Sequence, residues 1–560
     1  MTAVSLSRSR GARPRRASRL WSNRWTLLAA LVAAVVSLPV IVVAAHVFVP
    51  AGEVWDHLAE TVLRRYVETT LWLILGVGVG VLVVGVGTAW LVTMCRFPGR
   101  VLFEWALLLP FAMPAYVIAY VYTGLLDVGG PVQAWLRELF GWTPRDYWFP
   151  PIRSLGGAIV MMTLVLYPYV YMLTRAAFLQ QSVAALEVSR TLGCGPWRSF
   201  FAVALPLARP GIVAGLALAL MEALNDFGTV QFFALDTFTT GIYRTWLGLG
   251  APAAAAQLAA ILMLFVFAVL LLERWSRGEA RFHHARYQRL PNYRLRGMRA
   301  TLACLACLLP LAFGFLVPGG ALFKWTVEST ALAYDPYLAR LALNSFTLAA
   351  IAATLSVVLA LGVGYGLRLR AAPATVLAAR LAGMGYAIPG AVIAVGVLVP
   401  FAWIDTRVDA WMRAGFGIST GLVLSGTIAA VVFAYVVRFF AIASHAVEAG
   451  LAKVTANMDG AARLLGLGPV GTLVQVHAPM IWVSVLTAAM LVFVDVMKEL
   501  PATLIIRPFN FDTLAIRVFE LVSDEQLFEA SGAALGIVSV GVLPVILLSR
   551  AIARARPGHG

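Results

Sequence analysis

Charged residues are scarce in this chain, and lysine is almost absent from it. Of its 560 residues only 12% are charged, and lysine occurs three times, as Lys324, Lys453 and Lys498. A soluble globular domain carries charge on about a quarter of its residues. The composition therefore excludes an ordinary soluble protein. The four cysteines, two of them inside the apolar run 302–315, form no disulfide framework.

Long apolar runs take the place of the missing charge. Hydrophobic residues make up 61% of the chain, and a run of about twenty can cross the hydrocarbon core of a bilayer as a helix. The runs predict an all-α polytopic membrane protein with about 12 transmembrane helices, in two halves of about six each. The predicted spans lie near residues 27–48, 69–93, 103–126, 155–178, 208–232 and 256–273, and near 301–321, 343–367, 375–403, 418–444, 480–506 and 531–552.

Positive charge is carried almost entirely by arginines that flank the apolar runs. The formal net charge of +16 therefore indicates membrane topology and not binding to nucleic acid, because Lys and Arg accumulate on the cytoplasmic side of membrane proteins. If the twelve spans are correct, the arginine-rich segments share one side. We expect that side to be the cytoplasm, with both chain termini on it, and we expect membrane lipid to surround the spans.

The two halves of the chain repeat each other. The segment P-A-Y-V-I-A that begins at Pro114 matches P-G-A-V-I-A at Pro389, 275 residues later. A repeat with an even number of spans predicts parallel halves related by an axis along the membrane normal. The predicted division is a basic N-terminal segment 1–24, a first half 25–273, a cytoplasmic linker 274–299, a second half 300–553 and a C-terminal tail 554–560.

Glycines crowd the apolar run at 76–87, but they do not form a nucleotide-binding loop. A P-loop needs a lysine directly after its last glycine, and the three lysines follow Phe323, Ala452 and Met497. Glycines within a membrane helix permit close packing instead. We therefore expect this chain to bind no cofactor and any driving ATP to be used by a partner subunit. No nucleophile–base or metal-ligand spacing stands out, which argues against an enzyme.

Two polar segments at equivalent positions interrupt the apolar pattern, at residues 187–206 and 460–479. In each, a glycine allows one short helix to end and another to begin, and a proline precedes the next span. The pattern predicts a helix, a turn and a second helix at the cytoplasmic surface, between the fourth and fifth spans of each half. The duplication favours a protein-docking element over an ordinary amphipathic surface loop.

These segments resemble the signature loop of ABC-transporter permeases of the binding-protein-dependent import type, E-A-A-x-x-x-G-x(9)-I-x-L-P. Matching positions are Glu187, Gly193, Leu205 and Pro206 in the first copy and Ala461, Ala462, Gly466 and Pro479 in the second. The second copy has Gly460 in place of the glutamate, with Asp459 beside it, and Ala478 in place of the leucine. The resemblance implies a type I ABC importer-like fold and two cytoplasmic ATP-binding cassette subunits, one docked on each loop.

Three further segments resemble the fused two-domain permeases of ferric-iron ABC importers. They are E-A-L-N-D-F-G-T-V-Q-F-F-A-L-D-T-F-T-T-G-I-Y from Glu222, M-K-E-L-P-A-T-L from Met497 and R-P-F-N-F-D-T-L from Arg507. The resemblance covers nearly the whole chain apart from the first twenty-odd residues. It implies a multi-pass permease in a bacterial inner membrane that receives ferric iron from a periplasmic iron-binding protein.

Six polar residues occupy equivalent places in the fifth span of each half. They are Glu222, Asn225 and Asp226 and, 273 residues later, Asp495, Lys498 and Glu499. Their spacing predicts one shared helix face for each set, and ionisable groups inside a membrane line a bundle interior or a pathway. Four carboxylates from two halves suit a hard cation. We expect them to line a translocation pathway without forming a fixed metal site; the alternative is a structural role, with Lys498 neutralising its neighbours.

Other functions remain compatible with these features. A fused importer for thiamine or another small solute would differ only in its substrate. A twelve-helix secondary transporter also has two parallel halves, but it would work without an ATPase. A membrane scaffold with no transport activity is the third alternative.

Overall fold

Helices make up almost all of the ordered structure. The computed structural model describes residues 24–50, 52–180, 191, 195–277, 293–329, 336–369 and 372–554. Within these ranges the strands are two short pieces, β1 (Cys95–Arg96) and β2 (Tyr293–Arg294), which pair in parallel. This pairing joins the end of the second membrane span to the chain that enters the second half.

The described part of the first half contains twelve α-helices. They are α1 (Arg24–His46), α2 (Gly52–Thr61), α3 (Leu63–Met94), α4 (Arg100–Ala106), α5 (Ala115–Leu126), α6 (Pro131–Phe140), α7 (Leu155–Gln180), α8 (Pro196–Ser199), α9 (Leu205–Asn225), α10 (Gly228–Phe232), α11 (Phe238–Tyr243) and α12 (Pro252–Arg277). A 3-10 turn lies at Leu109–Ala112, and π-helical turns lie at Phe200–Ala204 and Arg244–Gly248.

The described part of the second half contains thirteen. They are α13 (Met298–Leu311), α14 (Val317–Glu328), α15 (Pro336–Leu369), α16 (Pro373–Ala382), α17 (Gly390–Phe416), α18 (Ile428–Leu451), α19 (Ala456–Leu464), α20 (Pro469–Thr472), α21 (Ala478–Met480), α22 (Trp482–Met497), α23 (Pro501–Ile506), α24 (Leu514–Ser523) and α25 (Leu527–Arg554). A 3-10 turn lies at Gly385–Ala387, and π-helical turns lie at Ala312–Leu316 and Leu473–His477.

Eleven of the described spans are long and apolar enough to cross a membrane, and a bent pair makes a twelfth. The bent pair is Pro469–Met480 with Trp482–Met497, and its two parts meet at 80°. The predicted all-α polytopic fold with about twelve transmembrane helices is therefore confirmed. The chain is a multi-pass membrane protein.

The third and ninth spans are broken where the sequence predicted continuous helices at 103–126 and 375–403. In each, a short helix and a 3-10 turn come first, and the long helix begins only after Pro114 or Pro389. Proline restricts the residue before it to extended conformations, so the helix cannot run through. Hydropathy misses such a break because the residues around it stay apolar. The ninth span also runs on to Phe416.

The loops gather at the two ends of the helices. We call one end the basic face, formed by the segments near 94–100, 195–205, 293–297, 372–373 and 452–481. We call the other end the acidic face, formed by the segments near 46–50, 52–63, 126–155, 232–252, 416–428 and 506–527. On the basic face the rings of Trp25 and Tyr365 are 5.2 Å apart. On the acidic face Arg65 contacts Asp236 at 2.9 Å. The second predicted docking segment belongs to the basic face, and so do the described residues 195–206 of the first.

The two halves interlock through their first helices. Helix α1 packs against α16 and α17 of the second half, and α14 packs against α5 of the first. A Cβ atom at Gly396 of α17 would lie 2.5 Å from the carbonyl oxygen of Pro39 in α1. Such close approach needs a residue without a side chain. The halves therefore share one packed body, and the centre of that body lies between them.

Equivalent helices of the two halves converge at this centre. In the first half α7 packs on α3 and α9, and in the second half α18 packs on α15 and α22. The short helix α10 contacts α5, and its counterpart α23 contacts α17. The broken ends of the fifth and eleventh spans are thereby brought together in the interior.

Candidate functional site

The fifth span ends inside the protein and not at its surface. Helix α9 stops at Asn225, Asp226 is extended, and α10 begins at Gly228. The Asp226 carboxylate accepts hydrogen bonds from the backbone N–H groups of Thr229 at 3.0 Å and Val230 at 3.2 Å, and from the Thr229 hydroxyl at 3.0 Å. It satisfies donors that the first turn of a helix leaves free.

The same break recurs in the second half. Helix α22 stops at Met497, and α23 begins at Pro501, whose missing N–H costs nothing at a first helical position. The Glu499 carboxylate accepts a hydrogen bond from the backbone N–H of Ala502 at 3.1 Å. Each half therefore places a carboxylate at the start of a short interior helix.

The prediction that each set of three polar residues shares one helix face is wrong. Asp226 lies past the end of α9, and Lys498 and Glu499 lie past the end of α22. The predicted spans 208–232 and 480–506 are interrupted at these points. The physical reason is that the carboxylates find backbone donors at the next short helix, which compensates for ending the longer one.

All six predicted pathway residues nevertheless line one cavity between the halves: Glu222, Asn225, Asp226, Asp495, Lys498 and Glu499. The cavity contains about 760 Å³ of empty space, including the part that opens to solvent. It lies deep in the helix bundle, because two further lining residues, Tyr169 and Arg438, stand near the midpoints of α7 and α18.

Arg438 is the centre of the charged contacts in this cavity. Its side chain is only 3% exposed, and its Nη1 donates to Asn225 Oδ1 at 2.8 Å and to Glu499 Oε1 at 3.2 Å. Its Nη2 lies 3.7 Å from Glu222 Oε2. A buried charge persists only where it is paired. Arg438 of the second half is thus paired with residues of both halves.

The sequence prediction omits Arg438, although a signal for it exists. It is the only charged residue in the run A-V-V-F-A-Y-V-V-R-F-F-A-I-A at 430–443, and such a residue inside a span indicates pairing or function. The repeat gives no help, because Val165 occupies the equivalent position 273 residues earlier. The charged centre is therefore asymmetric between the halves.

The second cationic group of the cavity is also paired. Lys498 Nζ lies 2.8 Å from Asp495 Oδ1 and 4.6 Å from the centre of the Phe111 ring. The lining therefore holds four carboxylates against two cationic groups, a formal charge of minus two. Both cationic groups already have a carboxylate partner.

Asn225 joins the two halves at the most crowded point of the cavity wall. Its Oδ1 accepts a hydrogen bond from the backbone N–H of Gly390 at 2.5 Å, in addition to the bond from Arg438. A Cβ atom on Gly390 would lie 2.6 Å from Arg438 Nη1 and 2.7 Å from Glu499 Oε1. The start of α17 must therefore be a glycine for the guanidinium to reach its partners.

His, Cys, Asp and Glu side chains do not form a metal-binding cluster in the part of the chain that the structure describes. No three His, Cys, Asp or Glu side chains among those residues come close enough together to hold a metal ion. The carboxylates of the cavity are instead bound by Arg438, Lys498 and backbone donors. A cation in the cavity would have to displace some of these partners.

Directly before the second docking segment, Asp459 connects that segment to two membrane helices. Its carboxylate accepts a hydrogen bond from Arg368 Nε of α15 at 3.0 Å and contacts His477 Nε2 at 2.6 Å. Arg368 Nη1 also donates to the carbonyl of Leu451, the last residue of α18, at 2.8 Å. Burial acts to raise the pKa of Asp459, but the bonds from Arg368 and His477 lower it below its usual range. The carboxylate thus holds the segment in place.

The same segment presents apolar side chains to the exterior. Gly466 adopts the left-handed conformation, with φ of +80°, that ends a helix without strain in glycine. Leu464 and Leu465, directly before it, are 91% and 81% exposed. Pro479 lies in α21, where the chain bends into α22. The segment is therefore internally anchored and externally apolar.

Less of the first docking segment can be placed. Leu205 and Pro206 are the first two residues of α9. Glu187 and Gly193 lie outside the residues that the structure describes.

Twelve helical spans in two interlocked halves, with a charged cavity between them, are the architecture of a membrane transport protein. Residues 81–277 match the family model described as "Binding-protein-dependent transport system inner membrane component". The chain belongs to this family, whose members are permease components of ABC importers.

Three relatives show how far the similarity extends. The Fe(3+)-transport system permease protein FbpB 2 of Haemophilus influenzae is 26% identical over 87% of this chain and 90% of its own length. The molybdenum transport system permease protein ModB of Escherichia coli is 30% identical over 34% of this chain and 83% of its own length. The sulfate transport system permease protein CysT of Escherichia coli is 34% identical over 27% of this chain and 52% of its own.

Breaking the Arg438 pair tests its role in stability. We expect Arg438→Met to lower the free energy of unfolding by about 3–5 kcal/mol, because Glu499 is left buried and unpaired. Adding Glu499→Gln to the same chain should recover most of that loss, since the uncompensated charge is gone. Urea-driven unfolding of the purified protein in mixed micelles measures both. An Arg438→Met protein with the same free energy of unfolding as the wild type would contradict the assigned role of Arg438.

Proposed function

We propose that this chain is the permease of an ABC importer for ferric iron in a bacterial inner membrane, with both permease halves fused in one chain. The observation that carries the proposal is similarity over almost the full length of a ferric permease. The similarity to the molybdenum permease spans only about a third of this chain. Of these two relatives, only the ferric permease matches most of this chain, 87% of it, and therefore both of its halves.

The charge of the cavity supports a cationic substrate. Its lining has a formal charge of minus two, and oxygen ligands suit a hard cation. Molybdate and sulfate are oxyanions, which need free cationic groups or N–H donors. Arg438 and Lys498 are already paired with carboxylates, so an oxyanion would meet mostly negative charge.

We infer that the basic face lies in the cytoplasm, with both chain termini, and that two ATP-binding cassette subunits dock there on the two signature loops. The arginine distribution supports this orientation. The exposed Leu464 and Leu465 supply the kind of apolar contact that anchors an interface. This chain then binds no cofactor, and ATP is used by the partner. The acidic face receives an iron-loaded periplasmic binding protein.

The contacts of the second loop suggest how ATP-driven closure reaches the cavity. Asp459 binds Arg368, and Arg368 binds the carbonyl of Leu451 at the end of α18. The same helix carries Arg438 in the cavity. Movement of the loop would therefore displace α18 and shift the partners of Arg438, changing the cavity from inward- to outward-facing.

Substrate and energy source are tested together by reconstitution in vesicles. We expect ATP-dependent uptake of radioactive ferric iron when the permease, its ATPase and its loaded binding protein are combined, and no uptake of molybdate, sulfate or thiamine. Uptake of one of those solutes without uptake of iron would overturn the proposal that ferric iron is the substrate. Uptake that persists without the ATPase would instead support a secondary transporter.

Docking on the second loop is tested by replacing its exposed leucines. We expect Leu464→Asp combined with Leu465→Asp to weaken ATPase binding about thirtyfold or more, the cost of losing an interface hot spot of about 2 kcal/mol. Leu422→Asp is the control, because Leu422 is an exposed leucine, at 59%, on the acidic face. Co-purification titrated against ATPase concentration gives the affinities. Equal affinities for the two variants would refute the assignment.

A further inference from the structure

Two tyrosine hydroxyls meet across the boundary between the halves, on the wall of the cavity. Tyr169 belongs to α7 of the first half, and Tyr386 belongs to the 3-10 turn that precedes α17 of the second. Their oxygens are 3.1 Å apart, and both residues line the cavity. One hydrogen bond between two hydroxyls uses only one of their hydrogens and leaves lone pairs free. The two hydroxyl oxygens can therefore bind a further partner.

A third tyrosine of the cavity has no such partner. Tyr116 of α5 is only 8% exposed, and its hydroxyl has no hydrogen-bond partner among the described residues. Buried polar groups in proteins are nearly always satisfied, so an orphaned one calls for a missing ion, water or ligand. Three tyrosines therefore line a cavity that four carboxylates also line.

We propose that Tyr169 and Tyr386 form a transient ferric-ion site between the two halves, with Tyr116 as a further oxygen ligand. This inference rests on the proposed ferric transport. Hard, highly charged cations prefer anionic oxygen ligands, and phenolate is one that binds iron in proteins. Adjacent ligands of an octahedral ion with bonds of about 2.0 Å lie about 2.8 Å apart. The observed 3.1 Å between the hydroxyls is close to that spacing.

Binding at this site exchanges two protons for the metal. As each of Tyr169 and Tyr386 forms its iron–oxygen bond, its phenol O–H bond breaks, because the charge of a bound cation makes its ligand acidic. The two protons pass to carboxylates of the same cavity, of which Glu222 and Asp495 are two. No electron is transferred, and the iron stays ferric.

The position of the two tyrosines explains how such a site would release its ion. One ligand comes from each half, so any movement that separates α7 from the start of α17 removes a ligand. The site would therefore hold the ion in one conformation and lose it in the other. This behaviour suits a pathway, which must bind its substrate weakly enough to let it leave.

Spectroscopy on the full-length permease tests the proposal without requiring transport. Ferric nitrilotriacetate added to the purified protein should give a visible phenolate-to-iron charge-transfer band with tyrosinate modes in its resonance Raman spectrum. Tyr169→Phe and Tyr386→Phe should each lose the band and lower iron uptake by the complete importer about tenfold or more. Tyr167→Phe is the matched control, because Tyr167 lies on the same helix with its hydroxyl bonded to the carbonyl of Leu107.

The outcomes separate this inference from the proposed function. A band that is retained in Tyr167→Phe and lost in both other variants supports the site. Suppose that the wild-type importer takes up iron but the wild-type permease shows no charge-transfer band, or that Tyr169→Phe and Tyr386→Phe leave uptake unchanged. Either result overturns the proposed site but not the proposed ferric transport. A wild-type importer that transports no iron overturns both.

Discussion

The pairing of one buried guanidinium constrains the centre of this protein. Arg438 is almost fully enclosed, so its charge must be met by partners within hydrogen-bond or ion-pair distance. Those partners come from both halves: Asn225 and Glu222 from the first, and Glu499 from the second. The helix breaks put Asn225 and Glu499 where the guanidinium can reach them. Gly390 contributes by having no side chain at the point where the groups converge.

This constraint connects the membrane interior to the basic face. Arg438 lies on α18, and the last carbonyl of α18 is bound by Arg368, which also binds Asp459, directly before the second docking segment. The interlocked first helices keep the halves in one body, so a displaced loop acts on helices that already touch across the centre. In the proposed importer, this mechanical connection would transmit the movement of a separate ATPase to the cavity. The excess of carboxylates over cationic groups would then favour the entry of cations.

Most of the architecture could be predicted from the sequence, because apolar length and the repeat report directly on membrane spans. Both sets of predicted pathway residues line the same cavity, although they were expected on unbroken helix faces. The helix breaks were not predicted because hydropathy carries no information on backbone conformation. Prolines and capping carboxylates determine that conformation at these positions. Arg438 was not predicted because the repeat offers no counterpart to it. Cross-half packing, such as Pro39 on Gly396, depends on tertiary contacts that local patterns do not contain.

The central claim is that excess negative charge in the cavity selects a cation. It is tested most directly by the initial rate of ferric uptake in vesicles whose permease carries Glu222→Gln and Asp495→Asn, with ATP hydrolysis measured in the same vesicles. These changes leave two carboxylates against Arg438 and Lys498, so the lining becomes formally neutral. The account predicts that iron uptake falls while ATP hydrolysis stimulated by the binding protein persists. Iron uptake at the wild-type rate through the neutral cavity would contradict it.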